Sequence, residues 1–103
     1  MQVQISVDGE KIAAFCQKWK ITEFSLFGSV LREDFGPQSD VDVLVTFARD
    51  AKWSLFDLVD MEEELKGIFG RDVDLLTRPS VEAMRNYLRR KAILSHTATI
   101  YAA

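Results

Sequence analysis

Phe27-Gly28-Ser29-Val30-Leu31-Arg32 and, with ten residues intervening after Ser29, Asp40-Val41-Asp42-Val43-Leu44-Val45 are the stretches that decide how this chain is read. In the second, Val41, Val43 and Val45 alternate with Asp42, Leu44 and Thr46, the period of a largely buried strand. The first ends another alternating run, Thr22 to Phe27, with Phe24 and Leu26 on one face, and its Gly28-Ser29 reads as a tight turn leading into a short helix from Val30 to Asp34. Gly36-Pro37-Gln38-Ser39 is turn chemistry between the two.

Outward from this pair the pattern is helical on both sides. Asp8 is an N-cap for an amphipathic helix over residues 9 to 19, where Ile12, Phe15, Cys16 and Trp19 recur at helical spacing and put Cys16 in the core. Ser54 to Phe69 carries Leu55, Leu58, Val59, Leu65, Ile68 and Phe69 at the same spacing, with Glu62 to Glu64 mostly outside and Gly70 suited to end it. Val73 to Thr77 predicts a third strand. Pro79-Ser80 breaks the chain before a helix bearing Met84, Tyr87, Leu88, Ile93 and Leu94, with His96 near its end. Thr97 to Tyr101 reads equally as a last strand or a packed tail. Helices alternating with strands argue for an α/β sandwich on one small sheet.

At 103 residues and 48% hydrophobic, the chain suffices for one core, which predicts a single domain over residues 1–103. A net charge of −3 supplies no overall attraction to nucleic acid. One cysteine allows no internal disulfide, the N-terminus lacks the blocks of a secretory signal, and no apolar run approaches the roughly 18 residues of a membrane span, so a cytoplasmic protein is expected.

The chemistry is concentrated in the acids. Asp40 and Asp42, two apart, project from one strand face with bases roughly 7 Å apart. Carboxylates crowded on a mostly buried strand repel each other and resist desolvation unless a cation neutralises them. Mg²⁺ suits such a site, since it takes oxygen ligands and typically binds one or two carboxylates together with substrate phosphates. Two ions about 3.5 to 4 Å apart would clamp the attacking and leaving oxygens of an in-line displacement, with a third acid from the Asp72-Val73-Asp74 strand completing the set. Asp72 is the rival of Asp74 for the role. Gly28 leaves room for a phosphate, Ser29 offers its hydroxyl and amide, and Arg32 and Ser39 are further candidate donors.

These residues resemble the nucleotidyltransferase superfamily that includes DNA polymerase beta, and specifically its minimal branch, the MNT domains of HEPN/MNT toxin–antitoxin pairs. The resemblance spans nearly the whole chain. The signature of Gly-Ser, an Arg and Ser-Asp-x-Asp stands at Gly28-Ser29, Arg32 and Ser39-Asp40-Val41-Asp42. Gly70-Arg71-Asp72-Val73-Asp74-Leu75-Leu76-Thr77 is similar to the third-acid strand, with Asp74 at the position of the acid, and Tyr87 to Leu94 through Ile100-Tyr101 is similar to the family's basic-aromatic helix and apolar tail. Glu33-Asp34-Phe35 departs from the small residue that many relatives carry after the arginine.

The resemblance implies the nucleotidyltransferase fold, a small mixed sheet of three to four strands packed with helices. It implies transfer of NMP, by expectation AMP, from an NTP with ATP as co-substrate and Mg²⁺, for which Mn²⁺ may substitute. Asp40 and Asp42 then hold metal and NTP, and Asp74 binds the catalytic metal. The acceptor implied is a hydroxyl on a HEPN ribonuclease toxin held in a hetero-oligomer. An alternative is an antitoxin that covers its toxin without chemistry, and a third is transfer onto a small molecule or RNA end. Lys66 and Arg71 read as solvated charges, and the run Arg85, Arg89, Arg90 and Lys91 reads first as a solvated helix face and alternatively as a contact for a partner or a phosphate tail. His96 has no partner at zinc spacing, and Trp19 and Trp53 read as core or rim packing.

Overall fold

A computed structural model describes residues 5, 7–32, 36 and 39–103, and of Ser29 only the backbone. The elements run α1 (Gly9–Lys18), β1 (Ile21–Phe27), a 3₁₀ turn (Gly28–Leu31), β2 (Val41–Phe47), α2 (Leu55–Phe69), β3 (Val73–Thr77), α3 (Arg78–Glu82), α4 (Tyr87–Ser95) and β4 (Thr97–Ala102). The strands form one mixed sheet in the order β3-β2-β1-β4. β1 is antiparallel to both β2 and β4, whereas β2 and β3 are parallel, joined by α2 as a parallel pair requires a crossover.

The helix ends follow their local chemistry. Asp8 caps α1 by accepting from the Glu10 and Lys11 amides, and Ser54 caps α2 in a reciprocal box with Asp57. Gly70 ends α2 in the left-handed conformation, at φ 71°. The single helix expected after Pro79 is instead two. Pro79 sits in the first turn of α3, where its missing N–H costs nothing, and Asn86 accepts from the Arg89 amide to start α4 afresh. Strand β4 settles the tail as a strand. The helix expected over Val30 to Asp34 is shorter and starts earlier, as the 3₁₀ turn Gly28–Leu31; Glu33, Asp34 and Phe35, like Pro37 and Gln38, lie outside the described residues.

Strand alternation divides the sheet into two faces. Phe24 and Leu26 of β1, Val41, Val43 and Val45 of β2 and Val73 of β3 pack with Ile12, Phe15 and Cys16 of α1 and Met61 and Leu65 of α2. Phe27 and Leu44, on the opposite parity, pack with Val81 of α3 and Ile93 of α4. The first face is closed over by two long helices. The second is covered by two short ones, and Asp42 and Asp74 share its parity. Trp19 and Trp53 meet edge to face at the rim, with ring centroids 5.1 Å apart. Among the described residues no helix is long and apolar enough to cross a membrane.

Candidate active site

Parallel pairing of β2 with β3 sets Asp42 directly beside Asp74. Neighbouring strands lie about 4.8 Å apart, so in-register residues on one face bring their carboxylates side by side. Asp42 also pairs with Phe27 across β1, and Phe27 pairs with Thr97 of β4. A row of Asp74, Asp42, Phe27 and Thr97 therefore crosses the whole sheet.

Gly28 follows Phe27 in this row at φ 73°, a conformation that disfavours a side chain. A Cβ at Gly28 would also overlap the Asp42 carboxylate, with Oδ2 its nearest atom and Cγ at 3.2 Å. The glycine is thus required twice, by backbone conformation and by the acid it makes room for.

A cavity of about 570 Å³ opens on this face. Gly28, Arg32, Asp42 and Asp74 line it, with Phe27 and Leu31 beneath and Arg89, Ala92, Ile93 and His96 of α4 along one side. Of the two rivals on the third strand, it is Asp74 that reaches the cavity; Asp72 precedes β3 and its carbonyl accepts from the Val41 amide at 2.9 Å. Asp40 lies one residue before β2 rather than within it, is exposed, and is not among the lining residues.

Ser39 is likewise outside the cavity lining. Its hydroxyl accepts from the Gly36 amide at 3.1 Å while its own amide donates to the Gly36 carbonyl at 3.0 Å. Arg71, expected as a solvated charge, is half-buried and structural: one Nη donates to the carbonyls of both Gly36 (3.0 Å) and Ser39 (3.1 Å). The segment leading into β3, which carries Asp74, thus also holds the Gly36 and Ser39 carbonyls ahead of Asp40. Among the described residues no group of three or more His, Cys, Asp and Glu side chains is placed to hold a metal ion, so the expected three-acid set is not assembled in this arrangement.

By sequence Arg89 groups with Arg85, Arg90 and Lys91, and the structure separates it from them. Arg90 donates to the Met84 carbonyl at 3.0 Å and lies over the Tyr87 ring, and Arg85 and Lys91 are exposed away from the cavity. The available signal was spacing. Arg89, Ala92, Ile93 and His96 fall at i, i+3, i+4 and i+7, one face of a helix, and Ile93 is buried in the core beneath it.

An acid pair held beside a glycine turn on a mixed sheet accords with what comparison with known proteins finds. Residues 10–99 match the nucleotidyltransferase domain family. The chain belongs to that family. A candidate protein adenylyltransferase of Methanocaldococcus jannaschii is 36% identical over 74 residues, 72% of this chain and 77% of its own. In fold, this nucleotidyltransferase chain is similar to a crystal structure of a toxin–antitoxin with AMP-PNP, at a TM-score of 0.70 and 18% identity over 94% of this chain and 75% of that one. It is similar also to a tri-AMPylated Shewanella oneidensis HEPN toxin in complex with MNT antitoxin, at a TM-score of 0.62 and 18% identity, covering 92% and 70%. The expected fold and family hold, and the chain is a nucleotidyltransferase.

Proposed function

We propose that this nucleotidyltransferase transfers AMP from ATP to a hydroxyl of a partner protein, and that the partner is a HEPN-type toxin held in a hetero-oligomer with it. The observation that carries the reading is the in-register pair Asp42 and Asp74, beside the Gly28 turn in one open cavity. The names of the similar proteins above, an adenylyltransferase and toxin–antitoxin complexes, support the choice of nucleotide and partner.

The donor set fits a hard divalent cation. Two adjacent carboxylates on one face repel each other and favour a cation between them, and an ion such as Mg²⁺ that takes its remaining ligands from water and phosphate needs no closed protein cage. Asp42 and Asp74 would hold it, with Asp40 joining from the residue before β2. When bound, the ion supplies neutralisation of the phosphate oxygens and stabilises charge on the leaving pyrophosphate. Mn²⁺ is expected to substitute.

The remaining roles fall to this chain's own groups. The glycine turn brings backbone close to the phosphates without a side chain intervening, and the Ser29 amide and hydroxyl and the Arg32 guanidinium are donors toward the anion. Ser39 acts by shaping the loop before Asp40. Asp74, at the cavity edge and exposed, is placed to accept the proton of an incoming hydroxyl. The acceptor oxygen then attacks the α-phosphorus and pyrophosphate departs.

A second reading, occlusion of the toxin without chemistry, is favoured by the exposed Leu55, Phe56 and Val59 on α2 and Tyr87 and Leu88 on α4. Intact-mass measurement of a HEPN partner incubated with this chain, ATP and Mg²⁺ separates the two. A gain in AMP units that disappears with Asp42→Asn supports transfer. Complex formation with no gain, across all four NTPs and with Mn²⁺ as well, would overturn it in favour of occlusion.

A further inference from the structure

We propose that α4 is the nucleotide wall of the cavity and that Arg89 on it anchors the phosphates. The inference rests on the reading that this cavity takes a nucleoside triphosphate and assigns that site its second cationic contact. Three α4 residues, Arg89, Ala92 and Ile93, and the residue that caps the helix, His96, line the cavity. From Arg89 to His96 the helix rises about 10 Å, enough to run beside a triphosphate and ribose. Its middle is apolar, and Phe27 and Leu31 face it from the sheet and the 3₁₀ turn. One helix face thus offers apolar contact flanked by polar groups at both ends.

Charge decides what Arg89 does there. Asp42 and Asp74 by themselves repel a polyanion, and the strong cations lining the cavity are Arg32 and Arg89. Among the described residues the Arg89 guanidinium has no hydrogen-bond or ion-pair partner, whereas its neighbour Arg90 is committed to the Met84 carbonyl and the Tyr87 ring. A guanidinium that forks toward a cavity without a protein partner is matched to phosphate, whose oxygens accept two parallel N–H bonds. Arg89 and the Gly28 turn line the same cavity, so phosphates held there would be gripped from the sheet and from α4 together.

The test is isothermal titration of the intact chain with AMP-PNP and Mg²⁺ over a series of NaCl concentrations. Arg89→Gln is expected to weaken binding about tenfold to a hundredfold and to flatten its dependence on salt. Arg89→Lys should recover part of the affinity, and Lys91→Gln, exposed on the same helix, should match the wild type in both affinity and slope. Loss of affinity with an unchanged salt slope would overturn the proposal by showing that the side chain acts through packing. Wild-type affinity in Arg89→Gln would overturn it and leave the reading of the cavity intact. No binding by the wild type would overturn that reading and this inference with it.

Discussion

The Asp42 carboxylate occupies the space that a side chain at Gly28 would need. Gly28 ends β1 at positive φ, and Asp42 lies on the adjacent antiparallel strand, so the glycine and the acid form one unit across two strands. The family's turn motif and its acid motif, separated in sequence, act here as a single constraint: the turn is tight because the acid must stand against it.

Gly28→Ala should therefore damage the site more than the fold. The left-handed backbone costs roughly 1–2 kcal/mol with a side chain present, and the methyl group forces Asp42 aside. Transfer activity is expected to fall about a hundredfold, the cost of a misplacement near 1 Å in a reacting site. Activity within threefold of wild type in a protein of equal fold would show that Asp42 need not stand there.

Asp42→Asn and Asp74→Asn should each lower nucleotide transfer about a thousandfold, equivalent to several kcal/mol of lost charge stabilisation. Asp72→Asn is the informative control, because Asp72 precedes β3 and contributes to β2 through its carbonyl, which the substitution leaves in place. If Asp72→Asn were as damaging as Asp74→Asn, the assignment of the third acid to Asp74 would be wrong.

Arg71→Ala removes the single Nη that holds both the Gly36 and Ser39 carbonyls. A loss of about 1–3 kcal/mol is expected in chemical denaturation. Transfer activity should fall as well, since the loop before Asp40 loses its tie to β3. Unchanged stability and activity together would reduce Arg71 to a solvated charge.

Cys16 is fully buried, and desolvation pushes its thiol from 9.0 up to about 12. The native protein should resist a water-soluble disulfide reagent at pH 8, and react once unfolded. The sign of the pH effect follows from the raised value: between about 9 and 12 the unfolded chain releases the thiol proton and the folded chain keeps it. Stability is fully present below pH 9 and falls as pH rises through this window. A Cys16→Ser variant confounds this test by placing a hydroxyl in an apolar site, so Cys16→Ala is the better comparison. An identical decline with pH in Cys16→Ala would refute the assignment.

Local patterns carried the fold a long way. Alternation in Val41 to Thr46 and helical spacing in Ile12, Phe15 and Cys16 depend on neighbours a few residues off, and Asp8, Ser54 and Gly70 terminate helices through contacts within one turn. Residue types and spacing marked Gly28, Asp40, Asp42 and the Asp72 and Asp74 pair as candidates, and the resemblance to the family pointed to Asp74 as the third acid. Pairing across the sheet was not legible, because register depends on residues distant in the chain. It took the tertiary structure to set Asp74 rather than Asp72 in the cavity beside Asp42, to turn Arg71 onto the Gly36 and Ser39 carbonyls, and to separate Arg89 from Arg90 and Lys91. A charged side chain looks the same in sequence whether it meets water, a carbonyl or an open cavity, and only packing decides which one it meets.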